Sequence, residues 1–229
     1  MNTFNHRNPV LLVHGFNGTA AIFRTMSAYL ASLGWFVYDL SLIPSDGSVG
    51  IDQLAQQVAD YVAKTFSPEQ PLDLIGFSMG GVVSRYYVQR LGGAGRVQRL
   101  IAISSPHHGT WTAYALGRLG CIQMRPGSAF LEELNRDAAM LEQLNFTSIW
   151  TPFDLMIIPA NSSKMPVGRD LQVPVLYHDW MPIDPRSLGA VVAALSEPVK
   201  RQHLASPWEN RQFVHVRNDQ KSPQSDGNT

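Results

Sequence analysis

The sequence predicts an α/β fold: a predominantly parallel sheet with helices on both faces. Short apolar runs of strand type alternate with segments whose apolar residues recur at helical spacing, the pattern of βαβ units. The length of 229 residues suits one such domain, and 45% hydrophobic against 16% charged residues suits a buried core under a low-charge surface.

The elements follow in order. "PVLLVHG" (9–15) opens as a strand. A helix is predicted over 19–34, with Ile22, Phe23, Met26, Tyr29, Leu30 and Leu33 at helical spacing and Gly34 as its stop. "WFVYDL" (35–40) is the next strand, and the turn-rich "IPSDGSVG" leads into a helix over 51–66 with Leu54, Val58, Tyr61 and Val62 on one face. "LDLIG" (72–76) is a third strand, "VVSRYYVQRL" a helix, and "VQRLIAISSP" (97–106) a fourth strand. Residues 109–147 carry no strand signal. "GTWTAYALGRLG" and "GSAFLEELNRDAAMLEQL" both read as helical, the second capped by Ser128, which predicts a helical cap or lid-like insertion at 109–147. Strands resume at 147–151 and 173–177, and a helix over 184–195 with Pro185 in its first turn closes the domain. The expected organisation is one domain over 1–196 and a polar, partly disordered tail over 197–229.

Composition excludes several classes of partner. Lys+Arg and Asp+Glu are equal at 18 each, so no basic excess points to nucleic acid. The single Cys121 allows no internal disulfide and no cysteine-based metal site, and it reads as a small buried apolar residue. No charged-then-apolar leader precedes the first strand, and no apolar stretch approaches the ~20 residues of a membrane span. A soluble, cytoplasmic protein is expected.

"GFSMG" (76–80) carries the chemistry. Ser78 stands between an apolar strand and a helix with Gly76 and Gly80 two positions to either side, fitting G-x-S-x-G. Such a turn brings backbone so close that side chains at the flanking positions would clash, and the helix behind it aims its first amides at charge forming on a substrate oxygen. "VHGFNGT" (13–19) follows the first strand, where these sheets place the second oxyanion donor. Phe16 and Met79 are therefore the expected backbone donors, and His14 is read as a structural residue of that loop.

The chain order nucleophile, acid, histidine narrows the rest. His107 and His108 have no acid between themselves and the serine and are expected to shape the pocket edge. His178 ends a predicted strand at the carboxyl edge where loops converge; His203 and His215, in the tail, are the alternatives. Asp154 follows the preceding strand and is favoured as the acid over Asp170, in a polar loop, and Asp179, adjacent to His178.

At these residues the chain resembles the α/β-hydrolases, specifically the compact bacterial triacylglycerol-lipase type. "PVLLVHGFNGT", "DLIGFSMGGVVSRYYV", "RLIAISSPHHGT", "MRPGSAFLEELN" and "TSIWTPFDLMIIP" carry the resemblance, with "VPVLYHDW" a looser match in which Tyr177 stands where many relatives have glycine. It implies the minimal form of that fold, with Ser78 as nucleophile, Asp154 as acid, His178 as base, Phe16 and Met79 as oxyanion donors, and no cofactor or metal. It also implies hydrolysis of acylglycerol or membrane glycerolipid esters through an acyl-enzyme, with transient contact to a lipid surface. The alternatives are an esterase, thioesterase or acyltransferase for small soluble acyl substrates and, in another class, a non-hydrolysing binding module.

Overall fold

A computed structural model describes residues 7–200 of the chain. Six strands form one sheet: β1 (Val10–Val13), β2 (Val37–Leu40), β3 (Leu72–Phe77), β4 (Val97–Ile103), β5 (Asn145–Trp150) and β6 (Arg169–Gln172). Their order is β2-β1-β3-β4-β5-β6, and every neighbouring pair is parallel. The chain winds outward from β1 to β2, then crosses back over β1 to lay down β3 and continues the other way. Winding thus reverses between β1 and β3, and such a reversal opens a crevice outside the carboxyl ends of the two strands.

Side-chain alternation along the strands builds a core on each face. Leu11 and Val13 join Leu54 and Val58 of α2 (Ile51–Thr65) and Val82 and Val83 of α3 (Met79–Arg90). Val10 and Leu12 face the other way, toward Met26 and Leu30 of α1 (Arg24–Ser32) and Leu188 and Val191 of a C-terminal helix, Pro185–Ser196. Each of these side chains is fully or almost fully buried, contributing about 1.5–3 kcal/mol apiece by removal from water.

Several boundaries differ from the sequence expectation. The predicted helix over 19–34 starts as a 3-10 turn, Ala20–Phe23, before α1. The predicted helix over 109–120 is a 3-10 turn, Trp111–Ala115, and then, after a break, the short α4 (Leu119–Gln123). Ser128 does cap α5 (Ala129–Arg136), its Oγ accepting from Leu131 N at 3.2 Å. Within 109–147 the two halves differ: Leu131, Leu134, Leu141 and Leu144 are buried in the core of α2 and α3, whereas Trp111, Tyr114, Leu119 and Ile122 are exposed.

The predicted strand over 173–177 is not one. The edge strand is the polar β6, and the last rung past it is Val173 N to Trp150 O, 2.9 Å. Pro174 has no N–H with which to continue the ladder, so the chain leaves the sheet there. The C-terminal helix, α6, begins at Pro185 under an Asp184 cap. The tail from residue 201, with His203 and His215, lies outside the described residues.

Candidate active site

The turn from β3 into α3 holds Ser78 at φ 55° and ψ −125°, a conformation costing about 1–3 kcal/mol for a residue with a side chain. The flanking glycines are enforced by contact. A Cβ on Gly76 would stand 2.5 Å from the carbonyl oxygen of Gly80, and one on Gly80 would run into the carbonyls of Val13 and His14. The elbow is pinned to the neighbouring strand by Ser78 N donating to Ile103 O at 2.8 Å.

The loop after β1 passes directly against the serine. A Cβ on Gly15 would lie 2.7 Å from Ser78 Cβ and 3.3 Å from its Oγ. The next residue, Phe16, lines the same cavities as Ser78, and Met79 lines one of them. His14 holds this loop. Its Nδ1 donates to Gly15 O at 2.8 Å and its Nε2 accepts from Leu42 N at 2.9 Å, which defines the neutral tautomer; burial lowers its pKa.

Asp154 sits in the turn that follows β5. Its Oδ1 accepts from Met156 N and Ile157 N, both at 2.9 Å, which locks the carboxylate in place. Both carboxylate oxygens receive His178 Nδ1, at 3.0 and 2.8 Å. Burial pushes this carboxyl up, but the hydrogen bond and charge of His178 and the two amides outweigh it, so its pKa is lowered. His178 opens a 3-10 turn, His178–Trp180, and its ring lies 4.8 Å from that of Phe77, centroid to centroid. With Nδ1–H committed to Asp154, Nε2 is the nitrogen left free to accept a proton. His178 and Ser78 line one cavity but make no hydrogen bond to each other.

The other candidate acids make no bond to His178. Asp170 accepts from Trp150 Nε1 at 2.6 Å and pairs with Lys164, while Asp179 lines the cavity beside His178. His107 and His108 do not shape the pocket edge, contrary to expectation. His107 is fully buried against Arg85 and Phe146, and His108 lies beside Asn135; it is Pro106 and Thr110 from this loop that line the cavity. Cys121 is buried as expected and lines the apolar cavity. Sequence reasoning missed Arg85, fully buried on α3, and Thr110, whose hydroxyl bonds the loop carrying Asp154. A lone arginine in the apolar run "VVSRYYV" was the available signal for the first.

Ser78 stands between two cavities. One, about 230 Å³, is walled by apolar groups that include Phe16, Met79, Ala113, Leu116, Cys121 and Met124. The other, about 450 Å³, has more polar walls, among them Asn17, His178 and Asp179. Among the described residues no group of three or more His, Cys, Asp or Glu is placed to hold a metal ion, and no helix is long and apolar enough to cross a membrane.

A parallel sheet that presents a strained serine at its winding reversal, with a buried aspartate–histidine pair beside it, is the architecture of an α/β-hydrolase. Solved structures share the fold. Bacillus licheniformis lipase BlEst2 superposes with a TM-score of 0.69 at 13% identity, over 82% of this chain and 92% of that one. Aspergillus fumigatus lipase B gives 0.71 at 21% identity, over 86% of this chain and 54% of that one. A lipase-esterase related protein from Clostridium acetobutylicum gives 0.61 at 13% identity, over 82% and 94%. Residues 9–153 match the palmitoyl protein thioesterase family, and the chain belongs to that family. It is a serine hydrolase acting on esters. The matched stretch includes the loop at Phe16 and the elbow at Ser78; it stops one residue before Asp154.

Proposed function

We propose that Ser78, His178 and Asp154 form a catalytic triad that cleaves acyl esters and thioesters through an acyl-enzyme. The observation that carries this reading is the buried Asp154–His178 pair, 2.8 Å apart, on the wall of the cavity that holds the strained Ser78. Ser78 Oγ attacks the carbonyl carbon while its proton passes to His178 Nε2. The carbonyl oxygen becomes an oxyanion facing the backbone N–H groups of Phe16 and Met79, neither of which donates to a protein acceptor among the described residues. Collapse breaks the bond to the leaving alcohol or thiol, which takes the proton from Nε2. Water then repeats the sequence on the acyl-enzyme, releasing the acid and restoring Ser78. Asp154 keeps the ring in the tautomer with Nδ1 protonated and offsets the imidazolium charge. No metal or cofactor takes part.

The apolar cavity fits the acyl chain and the polar one the leaving group. Acylglycerols or membrane glycerolipids are one substrate class, as the likeness to triacylglycerol lipases suggests; acyl thioesters are the other, as the family's description suggests. The wall segment over 110–124 acts as a cap-like insertion over the acyl site. Exposed Trp111 (59%), Leu155 (73%), Leu176 (55%) and Tyr177 (54%) belong to the same segments as the cavity-lining residues and supply an apolar rim for transient contact with lipid.

A fluorophosphonate probe tests the reading directly. Labelling at Ser78, lost in Ser78→Ala, together with hydrolysis of at least one acyl ester is the expected result. A folded protein that neither reacts with the probe nor cleaves any ester would instead be a binding module.

A further inference from the structure

The two cavities that meet at Ser78 differ in charge. Among the described residues neither has a lysine or an arginine on its walls, and Asp179 is the only acid on either. The apolar cavity has no ionisable group except the Cys121 thiol, which burial keeps protonated by raising its pKa. The polar cavity has two histidines besides Asp179. His14 is neutral by its bonds to Gly15 O and Leu42 N, and His178 must be neutral to act as the base.

Asp179 is exposed, and among the described residues its carboxylate has no hydrogen bond or ion pair. The cations nearest to it in sequence are occupied: Arg169 pairs with Glu197, and Arg186 with Asp184 at 2.8 Å. A second carboxylate, Asp154, bonds His178 Nδ1 at 2.8 Å. Until His178 takes a proton, the polar side of Ser78 therefore holds two negative charges and no lining cation. The other exposed polar residue there, Asn17, is a neutral amide, and Phe16, Ile22 and Phe77 supply apolar surface. An ion in a cavity of about 450 Å³ lies within roughly one screening length, ~8 Å at physiological salt, of a carboxylate on its wall.

Resting on the triad reading above, we infer that Asp179 selects the leaving group by charge: esters and thioesters whose alcohol or thiol part is cationic near the acyl bond are preferred over those in which it is anionic. The field acts on the free substrate's approach and persists in the transition state, so the preference appears in kcat/KM. An ester of an amino alcohol carries the favoured charge, as does an acylated side chain flanked by lysine or arginine.

The test uses three octanoyl esters, each kept below its aggregation concentration. Their alcohols are choline, 3,3-dimethylbutanol, in which carbon replaces the ammonium nitrogen, and isethionate, which ends in a sulfonate. Measuring kcat/KM for each in wild type and Asp179→Asn gives ratios between substrates within one protein, so a change in His178 basicity cancels. From wild type to Asp179→Asn the choline-to-dimethylbutyl ratio should fall about fivefold, and the isethionate-to-dimethylbutyl ratio should rise about fivefold. In wild type, raising NaCl from about 20 to about 500 mM should shrink the choline-to-isethionate ratio by about threefold or more. Ratios that the substitution leaves unchanged overturn the role of Asp179 while sparing the triad. If the variant fails to fold, a wild-type ratio that stays flat with salt overturns it equally. Absence of hydrolysis of all three esters, without fluorophosphonate labelling, overturns the triad reading itself.

Discussion

Arg85 and His107 meet in the interior with no exposure to solvent, the guanidinium donating to the imidazole Nδ1 at 3.3 Å. Because guanidinium only donates, Nδ1 must be the acceptor and the ring proton must sit on Nε2. Among the described residues no carboxylate pairs with Arg85. Its remaining donors go to Gln89, Leu134 O and Asn135, at 3.0 to 3.3 Å, which ties α3 to the end of α5. Burial, and secondarily the charge of Arg90, bring its pKa down to about 9.

This pair predicts acid sensitivity. Burial foremost, then the charges of Arg85 and His108, hold the His107 pKa well below its ordinary 6.5. The unfolded chain therefore takes up this proton first. The stability His107 contributes is complete above pH 6.5 and is lost as pH falls below that value, by up to about 1.4 kcal/mol per pH unit. His14 acts in the same direction. Asp73 opposes them: burial, against the pull of Arg99, raises its carboxyl to about 6, so its contribution is present below 3.8 and lost as pH rises through about 6. Urea midpoints between pH 5 and 7.5 should rise less steeply in His107→Asn, which keeps an acceptor for Arg85, than in wild type. Equal slopes would remove His107 from this account.

Ser78→Ala should lose hydrolysis and stay within about 1 kcal/mol of wild-type stability, since the side chain is no packing residue. Ser78→Gly should be equally inactive yet melt higher than Ser78→Ala, because glycine adopts φ 55° without the steric cost. Calorimetry of the two variants side by side checks the order, and a lower melting temperature for the glycine variant would count against strain at the elbow.

Asp154→Asn should lower kcat by roughly three to four orders of magnitude by disfavouring the Nδ1–H tautomer of His178. His178→Ala should cost at least as much, and the double variant little more than His178→Ala alone, since the two act as a unit. Steady-state kinetics of all three variants checks this. Near-additive losses would mean that the two residues work separately.

Thr110 is predicted to position the acid loop without touching substrate chemistry. Thr110→Val leaves Ile158 N without its acceptor, at a cost of about 1–3 kcal/mol, and frees the loop that holds Asp154. Its kcat should fall about tenfold or more, and Thr110→Ser, which retains the hydroxyl, should recover both kcat and stability. A valine variant destabilised but kinetically intact would reduce Thr110 to a structural role.

The elements legible in the sequence are those whose cause is local. The short apolar runs of β1, β3 and β4, the helical stripe Leu54–Val58–Val62, and the Gly76–Ser78–Gly80 turn are each dictated by neighbours a few residues away. The errors share the opposite origin. β6 contains Arg169, Asp170 and Gln172 and reads as a loop because an edge strand with exposed side chains carries little apolar signal; Val173, on the last rung, and Val175, beyond the ladder, are both buried and so imitate a strand.

By itself the sequence determined that a serine would stand at the junction of a strand and a helix, with glycines two positions to either side where a tight turn leaves no room for a Cβ. It also ordered the candidate acids and bases along the chain. Tertiary structure alone decided that Asp154 and His178, 24 residues apart, would meet at 2.8 Å, and that Arg85 would be buried against His107 and Asn135. It alone packed the loop at Gly47 against Cys121 and Phe16. The physical reason is range. Backbone conformation and periodicity act over a handful of residues, whereas distances between side chains on separate loops depend on how the sheet and its helices pack as a whole.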